Sequence, residues 1–243
     1  MVKTLCERIY TRFLSGTKDD ESILYSSVQE LGRHVLLNPV TLTELNDVVA
    51  LERKMLHSKG ANTQFIEDQL LFMLTEVARS CVRERAEETF LLLNDTMIEQ
   101  ECDAQKKFTH ILARQVRDVA LELSQFTRPR DTFATQRKSR SLGILRCLSA
   151  TYEIPEAYAL SLDLLKTNKR DAVVAAAEFL EYHANSRHSP LPENVIEQLN
   201  TIVSKTNDRS VAVSVVNLQV KTGHISELAA LSRIDAWKEH HDF

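Results

Sequence analysis

The stretch that decides the fold is Lys166-Thr167-Asn168-Lys169-Arg170, because it returns as Lys205-Thr206-Asn207-Asp208-Arg209, 39 positions later. Each copy follows an apolar helical segment, Leu160-Ser161-Leu162-Asp163-Leu164-Leu165 in the first and Val195 to Val203 in the second. Each copy precedes a run of small and β-branched residues, Ala172-Val173-Val174-Ala175-Ala176-Ala177 and Val211-Ala212-Val213-Ser214-Val215-Val216. The unit therefore reads as helix, tight polar turn, helix. A second helix that is apolar around half its circumference has to be buried between neighbours. The offset predicts that Ala176 and Val215 hold equivalent buried positions, and that Lys169 and Asp208 fill the one unlike place of the shared turn.

A repeat of about 40 residues built from paired helices is the mark of a stacked α-solenoid. With the turn Arg170-Asp171-Ala172 and Asp208-Arg209-Ser210-Val211 in view, the segment from about 139 to 241 resembles HEAT-repeat proteins. A half repeat precedes the two copies at Ser141 to Leu148, and a further helix follows with Ile225, Leu228, Leu231, Ile234 and Trp237. The proline usual in the family's first helix appears only at helix starts, as Pro155 and Pro192. The resemblance implies an interaction surface rather than a reaction.

Upstream, one apolar stripe (Val2, Leu5, Cys6, Ile9, Phe13) ends at Gly16, and a second helix points Ile23, Leu24, Val28, Leu31 and Val35 inward until Asn38-Pro39 stops it. Thr41 to Glu44 reads as a capping box opening a third helix, closed at Gly60. From Ala61 to Arg128 there is no glycine or proline. One helix of that length would run about 100 Å, so two long antiparallel helices bending near Asn94-Asp95 are favoured over one. Their near-continuous apolar seam makes 61–126 a possible self-association surface. Residues 20–90, through Glu30-Leu31-Gly32-Arg33, Leu36 and Leu42-Thr43-Glu44-Leu45, also resemble the helical regulatory region of RsbU-type phosphatases, which dimerises and binds a regulator kinase. No phosphatase catalytic section follows.

The fold class expected is therefore all-α: an N-terminal helical bundle over 1–127 with long helices, then a short HEAT-like α-solenoid over 139–243. The 5 glycines and 5 prolines of 243 residues make hairpin-rich β architectures unfavourable. Between the two parts, Arg128 to Arg140 is read as a linker. It carries a local basic excess in Arg128, Arg130, Arg137, Lys138 and Arg140, the only candidate binding residues the sequence offers.

The isolated glycines exclude a phosphate-cradling loop, and there is no nucleophile elbow, zincin motif or Glu-x-x-His ligand pair. Glu30 and His34 share a helix face as an ordinary surface pair. His183 and His188, beside an expected Asn185-Ser186-Arg187 loop, and His240-His241 read as solvated. The 4 cysteines lie far apart and read as reduced thiols. No catalytic residue, metal or cofactor is expected. The net charge of −4 gives no global pull toward nucleic acid, and no apolar run of about 18 residues would cross a membrane. The expectation is a soluble, cytoplasmic, non-catalytic scaffold or regulator whose partner is another protein. The alternative is a nucleic-acid-binding or base-repair protein resembling the HEAT-like alkylpurine DNA glycosylases, using the basic segment.

Overall fold

The structure, a computed structural model, describes the chain except residues 16, 17, 39, 59–63, 92–98, 127–132, 168, 242 and 243. Side chains at 18–21, 64–68, 84–91 and 99–109 also lie outside the described set. The protein is all-α. Eleven helices are described: α1 (Val2–Ser15), α2 (Lys18–Leu37), α3 (Leu42–His57), α4 (Gln64–Leu91), α5 (Glu99–Gln125), α6 (Ala134–Ser149), α7 (Pro155–Leu165), α8 (Arg170–Arg187), α9 (Glu193–Lys205), α10 (Arg209–Lys221) and α11 (Glu227–His240). They fall into two compact units, Met1–Leu123 with Cys147–Tyr152, and Ser124–Arg146 with Glu153–Phe243. Cys147–Tyr152, expected among the repeats, thus groups with the first unit.

In the first unit α1 packs on α2 and α3, and α4 on α2 and α3. The α1 stripe Val2, Leu5, Cys6, Ile9 and Phe13 is buried as its spacing requires. Thr41 forms the expected capping box: its hydroxyl accepts from the Glu44 N–H, while the Glu44 carboxylate accepts from the Thr41 N–H at 3.1 Å. That carboxyl is held below its ordinary 4.5, chiefly by the Thr41 backbone bond. Glu122 of α5 meets Arg53 and His57 of α3 at 3.0 and 3.2 Å. Being largely exposed, these pairs add little stability. Ile23, expected inside, is exposed. Leu24, Val28, Leu31 and Val35 are buried as expected, and a residue one step before Leu24 is rotated about 100° from it. The stretch 61–126 contains two helices, α4 and α5. The bend expected at Asn94-Asp95, like the cap at Gly60, lies outside the described residues.

In the second unit the helix pairs are α7 with α8 and α9 with α10. The two second helices pack on each other, and α10 also carries α11. Ala176 and Val215 are both fully buried, as are Ala172, Val173 and Ala212. The small residues of α8 let α10 approach closely, and Phe179 supplies the largest fully buried side chain. An aromatic ring so placed contributes about 1.5–3 kcal/mol through burial. The two turns share a device. The Thr167 hydroxyl accepts from the Lys169 N–H at 3.4 Å, and the Thr206 hydroxyl accepts from the Asp208 N–H at 3.1 Å. Here the equivalence of Lys169 and Asp208 ends. Lys169 opens α8 with no side-chain cap, whereas Asp208 Oδ1 accepts from the N–H groups of Ser210 and Val211 at 2.8 and 3.2 Å.

Two expected loops are helix. Asn185-Ser186-Arg187 completes α8, which stops at His188 in the left-handed conformation (φ 50°), where the Ser189 N–H returns to the Ala184 carbonyl at 3.1 Å. The stop therefore comes from a left-handed residue followed by Pro190, not from the polar run before it. Residues 134–140 of the expected linker form the first half of α6. Arg137 is buried there, donating to the Phe126 carbonyl at 3.0 Å with its guanidinium 5.4 Å from the Phe126 ring. A polar segment can enter a core in this way because the arginine stem packs as an apolar chain.

Candidate functional site

The basic segment does not assemble into one surface among the described residues. Arg128 and Arg130 lie outside them. Arg137 is buried, Lys138 is partly covered and Arg140 is exposed, all three on α6. Further along α6, Arg146 is paired with Glu178.

Reactive side chains are similarly accounted for. The Cys6 thiol is pushed up to about 12, first by burial and then by the charges of Asp47 and Glu7, which makes it a poor nucleophile. His183 packs against Tyr158 and Phe179, and burial lowers its pKa with help from Arg187. The His224 ring accepts from the Leu191 N–H at 3.2 Å and so fixes the loop before α9. His34 bonds to Asn38 and not to Glu30. Among the described residues no three His, Cys, Asp or Glu side chains gather to hold a metal ion.

A cleft lies between α9 and α11, a slot of about 470 Å³ lined by Asn200, Val203 and Ser204 on one side and Arg233, Ala236, Trp237, His240 and His241 on the other. Helical spacing builds both walls. Asn200, Val203 and Ser204 sit at steps of three and four on α9, and Arg233, Ala236, Trp237 and His240 do the same on α11. Its middle is apolar. The Trp237 indole is buried and donates to the Thr206 carbonyl at 2.8 Å, tying α11 to the repeated turn, and its face is stacked on His241 at 4.8 Å and 22°.

One end of the slot is polar. The Asn200 side-chain oxygen accepts from Gln219 of α10 at 2.9 Å and from Arg233 Nη1 at 2.8 Å. The same Nη1 donates to the Gln219 oxygen at 2.8 Å. Gln219 is fully buried, so this knot satisfies an amide that would otherwise cost about 1–3 kcal/mol to leave unpaired. It also fixes α9, α10 and α11 in one register. The guanidinium is partly exposed, and among the described residues no carboxylate lies within ion-pair distance of it. Nearby Asp235 pairs with Lys238 at 2.8 Å.

Sequence reasoning missed these three residues. The signal was Gln219, a lone amide on the otherwise apolar inner stripe of α10 (Val211, Ala212, Val215, Val216, Leu218). The expected α11 stripe is only half right. Trp237 is buried, but Leu228 and Leu231 are exposed, and Ala230 takes the inner place.

No helix among the described residues is long and apolar enough to cross a membrane. Comparison with protein-family models, with curated proteins and with solved structures finds no match to this chain.

Proposed function

We propose that this chain is a non-catalytic protein-interaction module of HEAT-like type, and that it receives an extended segment of a partner protein in the α9–α11 slot. The observation that carries the reading is the slot itself. It is open and apolar in the middle, and a buried polar knot holds its walls in place before any partner arrives. A preformed surface of this kind lowers the ordering cost of association. Stacked helix pairs present such grooves at successive repeats. The long-helix seam offers less, because most of it is already covered. Leu70, Met73, Leu74, Val77, Leu112, Val116, Val119 and Leu123 are buried, with Phe72 and Ile111 exposed. The basic segment lends the nucleic-acid alternative no support, since Arg137 is enclosed.

The test is selection from a random peptide library displayed on phage, using the full chain and an Ala236→Glu variant whose new carboxylate obstructs the slot. Ala236 is exposed, so the variant should fold. Peptides enriched on the parent and lost on the variant support the reading. Equal enrichment on both, or none on either, refutes it.

A further inference from the structure

The free edge of Arg233 narrows what the slot can accept. A guanidinium carries five N–H donors in a rigid plane. Two belong to Nη1, and both are spent on neutral acceptors, the side-chain oxygens of Asn200 and Gln219. The Nε–H and the two Nη2 hydrogens have no acceptor among the described residues, and the residue lines the slot. That leaves the side-on edge of the fork, whose parallel donors match the two oxygens of a carboxylate. The amides orient the plane without neutralising its charge, so a positive, preoriented, partly desolvated group faces the cleft. Beside it stands the apolar surface of Val203, Ala236 and the Trp237 ring. Among the described residues nothing acidic lines the slot to compete for the cation.

We infer that the slot recognises an acidic side chain of a partner peptide, Asp or Glu, paired side-on with Arg233 and followed by an apolar residue lying on the Trp237 wall. The inference rests on the reading of the slot as a protein-binding surface and adds the partner's chemistry. Charge complementarity selects this occupant. A basic segment would meet Arg233 head-on, and a purely apolar one would bury its free donors without acceptors.

Calorimetric titration of the full chain with two blocked synthetic peptides, acetyl-Ala-Glu-Phe-Leu-Ala-amide and its Gln-for-Glu counterpart, tests the inference. A third titration uses 3-phenylpropionate, a small carboxylate with an apolar tail. The Glu peptide is expected to bind about tenfold or more tightly than the Gln peptide. Arg233→Lys keeps a positive charge but not the fork and should remove most of that preference, with the helical circular dichroism unchanged. Equal binding of the two peptides overturns the acidic specificity and leaves the interaction reading standing. Binding of 3-phenylpropionate without either peptide overturns the peptide occupant in favour of a small acid. If neither peptide binds and the phage selection also yields nothing, both proposals fall together. If the selection enriches peptides lacking Asp and Glu, only the present inference falls.

Discussion

Replacing Asp208 by alanine isolates the one difference between the two copies of the repeated turn. Its Oδ1 accepts from two backbone N–H groups at the start of α10, at 2.8 and 3.2 Å. Its other oxygen stands 4.0 Å from Arg170 Nε, with both side chains well exposed, so that pair contributes close to nothing. The loss therefore reduces to a helix cap, about 1 kcal/mol within a range of roughly 0.5–2. In a chain of this size that lowers the thermal midpoint by about 2–4 °C. Asp208→Asn retains the accepting oxygen and should lie within a few tenths of a kcal/mol of the parent. Lys169→Ala, at the matching place before α8, removes no cap and should melt with the parent. Lys169→Asp should raise the midpoint by a similar amount to the Asp208→Ala loss, because Lys169 already has extended backbone (φ −92°, ψ 132°) suited to a capping residue. Melts followed by circular dichroism, all five proteins in one buffer, decide the point. The reasoning is refuted if Asp208→Ala melts with the parent, or if Lys169→Ala is as damaging as Asp208→Ala.

Three further outcomes are expected. Ala176→Asp and Val215→Asp each place a carboxylate in a fully buried position and should cost several kcal/mol, against roughly 0.5 or less for exposed Glu197→Ala; denaturant titration compares them. The Glu44 carboxyl titrates below its ordinary 4.5, so its small stabilising effect is complete above that pH and is lost as pH falls through the lowered value. NMR titration should place it there, and Thr41→Val, which removes the hydroxyl, should shift it part of the way back toward 4.5. The Cys6 thiol should resist a disulfide reagent at pH 8 in the folded protein and react once the chain is denatured; rapid native labelling would contradict its burial.

What the sequence made legible was decided by periodicity. The α1 stripe, the Thr41–Glu44 box and the burial of Ala176 and Val215 follow from spacing and from rules that act within a few residues. At Arg137 and residues 185–187 polarity points to loop where the structure has helix. A long stem can pack while its head bonds a carbonyl, and a helix ends where a left-handed residue and a proline allow it. The slot was illegible for a different reason. Asn200, Gln219 and Arg233 are ordinary on their own helices, and their meaning arises only when three helices bring them together. Gln219 alone broke a pattern, a buried-stripe position filled by an amide. The outward turn of Leu228 and Leu231 was hidden too, since an i, i+3 pair marks a shared face without saying which side of the helix the neighbour covers.

Trp237 has a consequence beyond packing. It is the single tryptophan of the chain, and it belongs to the second unit. Its indole is anchored on the repeated turn at Thr206 and lies against the His241 ring. Tryptophan emission, excited where tyrosine does not absorb, therefore reports on one unit alone, whereas far-ultraviolet dichroism sums the helices of both. Coincident unfolding curves from the two signals would mean that the units melt as one cooperative system, and separated curves would mean that each has its own stability. The same indole walls the slot, so the fluorophore that distinguishes the units also stands where an occupant would change its surroundings.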